Sequence, residues 1–168
     1  MKRFLSILLV LMLLLSVSLP ISASGSKIVD EAGLLSERDI SILENKAESI
    51  AQTYQMDVVI VTVRSLGGKS AQAYADDYFD YNGYGYGPDA SGIMLLVAMN
   101  DREWAVSTCG DAIRTVTDYE VEEILQDVAG YLSDAEYYDA FDTFLDRVEA
   151  QYRTGIDREK SDSADILF

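Results

Sequence analysis

The chain predicts an α/β fold, a small mixed β-sheet flanked by helices on both faces. Three observations carry this expectation. Two runs, Asp57–Val63 and Ile93–Met99, are almost wholly apolar, the pattern of strands buried on both faces. Segments with apolar residues at helical spacing precede, separate and follow them. A polar four-residue turn, Asn100-Asp101-Arg102-Glu103, joins the second run to a third, Trp104–Thr108, and so predicts an antiparallel hairpin.

Taken in order, the chain first offers a short lead, Lys27 to Leu35. Ser36 then reads as a helix N-cap, with Glu37 and Asp39 in the first turn, where the helix dipole favours negative charge. Ile40, Leu43, Ala47, Ile50, Ala51 and Tyr54 follow on one face, so a helix is predicted to about Tyr54. The first apolar strand comes next. Gly67-Gly68 breaks the chain, and Ser70 caps a second helix to about Tyr81, with Ala71, Tyr74, Ala75, Tyr78 and Phe79 inward. The stretch from Asn82 to Gly92 is too rich in glycine for regular structure. After the hairpin, two capping boxes, Thr117-x-x-Glu120 and Ser133-x-x-Glu136, predict two more helices, the last ending near Tyr152. The helix between the two buried strands implies a parallel, right-handed crossover.

The N-terminus reads as an address. Lys2 and Arg3 precede an apolar run from Phe4 to Leu19, and Pro20 to Gly25 supplies small residues suited to signal cleavage. The run falls short of the roughly 20 residues of a membrane span, which favours a cleaved signal over an uncleaved N-terminal anchor. The expected organisation is a signal peptide over residues 1–25, one domain over 26–152, and a polar, disordered tail over 153–168. The expected location is secreted or in the cell envelope.

Composition excludes several functions. The net charge is −16. Two of the 13 basic residues and none of the 29 acidic ones lie in the signal, so the exported chain carries −18. That charge repels nucleic acid and anionic lipid. It suits divalent cations, or simply solubility outside the cell. Histidine is absent, which rules out a Ser-His-Asp triad, a Cys-His pair and the usual His-containing zinc sites. The one cysteine, Cys109, forms no internal disulfide and reads as a small buried residue or a reactive thiol.

The predicted topology divides the remaining polar residues between two edges of the sheet. Asp89, Asp111 and Asp118 fall at one edge; Asp30, Glu31, Asp101 and Arg102 fall at the other. Carboxylates in loops at strand ends are what Ca²⁺ or Mg²⁺ takes as ligands, though neither group has EF-hand spacing, and Asp101-Arg102-Glu103 also reads as a plain turn. The glycine-rich loop lacks Gly-Lys-Ser/Thr and precedes a strand, so it is not a phosphate loop. Its tyrosines, Tyr81, Tyr84 and Tyr86, read either as a recognition surface or as cover for the end of the sheet.

Several of these segments, in order, resemble the TPM domain (TPM-phosphatase) family in its Gram-positive bacterial form. They are Val29–Ser36, Val58–Val63, Gly92–Val97, Asp101-Arg102-Glu103-Trp104, Ser107–Arg114 and Thr117-Asp118. The resemblance covers about Lys27 to Tyr152. It implies a compact α/β sandwich outside the cytoplasm, and two contrasting activities. One plant member is described as an acid phosphatase and some members bind Ca²⁺, whereas an animal relative is an auxiliary protein of a receptor channel. Asp30, Asp101, Arg102 and Asp118 match the family's acidic and Asp-Arg positions. Many members have Gly-x-Gly where this chain has Thr108-Cys109-Gly110, and many continue into a transmembrane helix.

The functional expectation is an envelope accessory or binding module, with a membrane protein or envelope complex as partner and Ca²⁺ or Mg²⁺ as the cation. Asp30, Asp89, Asp101 and Asp118 are the candidate metal ligands. The alternative is a phosphatase in which a metal-held water attacks a phosphomonoester and Arg102 steadies the phosphate, with Asp101 and Arg102 as catalytic residues. A site joining Asp118 to Asp30 and Asp101 conflicts with the predicted topology.

Overall fold

The structure, a computed structural model, describes residues 25–165, with side chains through residue 157. The predicted signal peptide lies outside the described residues except for Gly25. Strands β1 (Ile28–Asp30), β2 (Asp57–Val63), β3 (Gly92–Ala98) and β4 (Glu103–Cys109) form one sheet in the order β1-β2-β3-β4. The first three are parallel, and β4 returns antiparallel to β3. Helices α1 (Glu37–Tyr54), α2 (Ala71–Tyr81), α3 (Ala112–Thr115), α4 (Asp118–Ser133) and α5 (Tyr137–Asp165) cover the sheet. Among the described residues no helix is long and apolar enough to cross a membrane.

Alternation along β2 and β3 builds two cores. Val58, Ile60, Ile93 and Leu95 face one layer, made of Leu43 and Ala47 from α1, Ile124 and Val128 from α4, and Phe141, Phe144, Val148 and Tyr152 from α5. Val59, Val61, Met94 and Leu96 face the other, where Ala71, Ala75 and Phe79 of α2 meet them. Every residue of β2 and β3 is buried, as their unbroken apolar runs predict.

The expected crossover through α2 is present, and β1 adds a second one through α1. β1, β2 and β3 are parallel and adjacent in sequence order, yet α1 lies on one face and α2 on the other. Two such connections have opposite hand, so they cannot both obey the right-handed rule. The physical reason is coverage. The other helices pack in the first layer, so α2 is the helix left to bury Val59, Val61, Met94 and Leu96.

Three other predictions are corrected. The lead contains a strand, β1, which three paired residues make too short to see in sequence. The Ser133 capping box does not form: Ser133 ends α4, and its hydroxyl donates to the Ala129 carbonyl at 2.8 Å. The chain reverses through Ala135 at φ 60° instead, and the Glu136 carbonyl takes the first bond of α5 from the Ala140 N–H. Finally, α5 does not stop near Tyr152 but runs to Asp165, so residues 153–165 of the expected disordered tail are helical. Tyr152 is fully buried, Ile156 packs on the first core, and Gly155 lies so close to α3 that a Cβ there would collide with Thr115 Cγ2.

Candidate functional site

The edge where the parallel strands end gathers the start of α1, the β2–α2 loop and the β3–β4 turn. Asp30, the last residue of β1, accepts hydrogen bonds from the amides of Gly33 (3.1 Å) and Leu35 (2.8 Å) and from the Thr62 hydroxyl. Partial burial raises its pKa, but these bonds and one from the Leu34 amide outweigh it, and the net shift is below the ordinary 3.8. Asp101 accepts from the Leu66 amide at 2.9 Å and so ties the β2–α2 loop to the hairpin. Arg102 ends the turn in the left-handed region at φ 55°, with its side chain exposed and in no ion pair among the described residues.

Beside that turn lies a cleft of about 610 Å³ lined by Val97–Met99, Arg102, Glu103, Trp104, Leu132, Ser133 and Tyr137. Trp104 is 39% exposed there, large for an indole in so small a domain. The cleft thus joins an apolar floor to a guanidinium and a carboxylate, those of Arg102 and Glu103. Nearby, the Tyr78 hydroxyl donates to Glu31 at 3.4 Å, and burial, helped by that carboxylate's charge, pushes the phenol up to about 12.

Asp89, Asp111 and Asp118 sit at the opposite edge. Asp111 pairs with Arg114, and its amide donates to the Ser91 hydroxyl at 3.0 Å. Asp118 is the exposed first residue of α4, next to the Thr117 cap, and Asp89 is exposed in the glycine-rich loop. The four candidate ligands are therefore divided two and two. Among the described residues no group of three or more His, Cys, Asp or Glu side chains could hold a metal ion. Asp30 and Asp101 are committed to main-chain donors, so together they do not supply the shell of six to eight oxygens that Ca²⁺ takes.

Sequence reasoning missed a buried ion pair at that second edge. Lys27 Nζ lies 2.7 Å from Asp57 Oδ1, and both side chains are 3% exposed. Asp57 Oδ2 accepts from the Gly85 amide at 2.9 Å, and its main-chain carbonyl accepts from the Tyr152 hydroxyl at 2.9 Å. Glu44 accepts from the amides of Lys27 and Ile28, both at 2.9 Å. The signal was a lone acid opening an otherwise apolar strand. The tyrosines separate as well. Tyr84 is buried and its hydroxyl donates to the Ser26 carbonyl at 2.8 Å, so it is structural, whereas Tyr81 is 83% exposed.

Comparison with known proteins matches the TPM domain over residues 28–151. No curated protein matches the chain. Three solved structures share the fold. The N-terminal domain of a protein from P. gingivalis is 18% identical, with a TM-score of 0.68 over 77% of this chain and 83% of that one. The N-terminal domain of cg2496 protein from Corynebacterium glutamicum is 16% identical, with a TM-score of 0.63 over 82% and 86%. The BA42 protein of the psychrophilic bacterium Bizionia argentinensis is 9% identical, with a TM-score of 0.61 over 72% and 83%. By the family match, which spans nearly all of the described residues, the chain belongs to the TPM domain family.

Proposed function

We propose that this TPM domain is an extracytoplasmic binding module that engages an envelope protein through the hairpin edge. The observation that carries this reading is the cleft beside the β3–β4 turn, where Trp104, Leu132 and Tyr137 meet Arg102, which makes no ion pair among the described residues. An exposed aromatic ring next to a free guanidinium is the composition of protein-recognition surfaces. At the same edge Asp30 and Asp101 accept main-chain hydrogen bonds from the β1–α1 and β2–α2 loops.

Hydrolysis of an aromatic phosphomonoester by the purified protein, with and without Ca²⁺ or Mg²⁺, tests the reading. The expected result is no metal-dependent turnover. Metal-dependent hydrolysis that is lost in Asp101→Asn, at an unchanged melting temperature, would replace the module with a phosphatase using Asp101 and Arg102 around a Ca²⁺ or Mg²⁺ ion.

A further inference from the structure

The two edges of the sheet are finished differently. β1 is three residues long, and its leading amides are occupied by the Glu44 carboxylate. β4 forms the other edge with seven consecutive residues in unbroken register against β3. Among the described residues its backbone makes no hydrogen bond outside that ladder. It contains no proline, glycine or lysine, and no bulge interrupts the register. Folded proteins ordinarily blunt so long an edge, because its free N–H and C=O groups invite another strand. Burial alternates along β4: Ala105 and Ser107 are buried, Ala105 in the layer under α2, whereas Val106, Thr108 and Cys109 are half-exposed and Glu103 and Trp104 open to solvent.

We infer that β4 takes up an extended, basic segment of a partner protein as a fifth strand. This rests on the binding-module reading and gives it a mode. The cleft continues the edge, since Glu103 and Trp104 belong to both, and Val106 and the α4 residues Val121, Leu125 and Leu132 carry half-buried apolar surface on the first core. Main-chain hydrogen bonds along β4 supply affinity, and alternate side chains of the added strand meet that apolar surface. Charge selects the occupant. Every copy carries −16 over the whole sequence, so a second copy is repelled and a lysine- or arginine-rich strand is drawn in.

The test uses uniformly ¹⁵N-labelled protein and a soluble peptide alternating lysine with valine and threonine, beside a version interrupted by prolines and one with lysines replaced by glutamates. Amide exchange is read across Trp104–Thr108. The proposal expects alternate amides of this stretch to slow by about tenfold or more with the first peptide, a hydrogen bond's worth of protection, and not with the other two. Equal effects from the proline-interrupted peptide mean charge attraction without strand pairing and overturn it. Protection that rises with protein concentration alone means a second copy is the occupant, and also overturns it. Shifts confined to Arg102, Trp104 and Tyr137, with β4 exchange unchanged, remove the added strand but leave the module standing. The phosphatase result above overturns the module itself.

Discussion

Lys27 and Asp57 illustrate what a single side chain contributes at this domain's interior. Both are nearly solvent-free, and their attraction offsets a desolvation cost that neither could bear alone. Lys27→Met should therefore cost about 3–5 kcal/mol by leaving Asp57 charged and buried. Adding Asp57→Asn should recover part of that loss, because the amide oxygen can still accept from Gly85; urea unfolding of the two variants measures both. Asp30 makes the second residue-scale prediction. Its pKa is depressed in the folded state, so its contribution is complete above the ordinary 3.8 and is lost as pH falls below that value. Asp30→Asn should lower stability by about 1–2 kcal/mol near pH 7 and flatten this acid limb. An unchanged acid limb in the variant would contradict the assignment. Neither role was legible beforehand. Asp30 and Asp101 stood out in sequence only as acids, and the amides they accept from belong to loops whose course no periodicity records.

At the scale of elements, local signals succeeded where they were redundant. The Ser36 and Thr117 caps form with both halves of their capping boxes, and the two-faced apolar runs are the central strands. Ser133-x-x-Glu136 is a capping-box pattern too, but Ser133 is the last residue of α4 and its hydroxyl is taken up by the Ala129 carbonyl. Thr117→Ala should cost about 1 kcal/mol, and Ser133→Ala less than about 0.5 kcal/mol; thermal melts distinguish them, and equal losses would contradict the described caps. The end of α5 was hidden for a different reason. Beyond Tyr152, among the residues whose side chains are described, Gly155 and Ile156 mark the contact with the rest of the chain. Gly155→Ala gains about 1 kcal/mol of helix propensity but collides with the Thr115 methyl, and overpacking costs about 1–3 kcal/mol. The variant should be destabilised, and Thr115→Ser should rescue it. Stabilisation by Gly155→Ala alone would show that α5 and α3 are not packed this closely.

For the molecule as a whole, the layer architecture and the division of acids between two edges follow from strand order alone, which is why the sequence placed Asp118 apart from Asp30 and Asp101. The opposite hands of the two crossovers did not follow. The right-handed expectation concerned only the crossover through α2, and the one through α1 was not foreseen because β1 is three residues long. The hairpin edge was legible as a place but not as a surface: nothing in Asp101-Arg102-Glu103-Trp104 announces a cleft, because Leu132 and Tyr137 arrive from distant helices. The proposed binding module requires this edge to touch a protein partner outside the cytoplasm. Photocrosslinking in cells, with benzoylphenylalanine placed at Trp104 and, in a separate strain, at the exposed Tyr119 of α4, tests it most directly. The expected result is a discrete adduct to an envelope protein from position 104 that weakens when Glu103→Lys is added, as a basic partner segment requires, and is missing from position 119. Equal labelling from both positions, or none from 104, would contradict it.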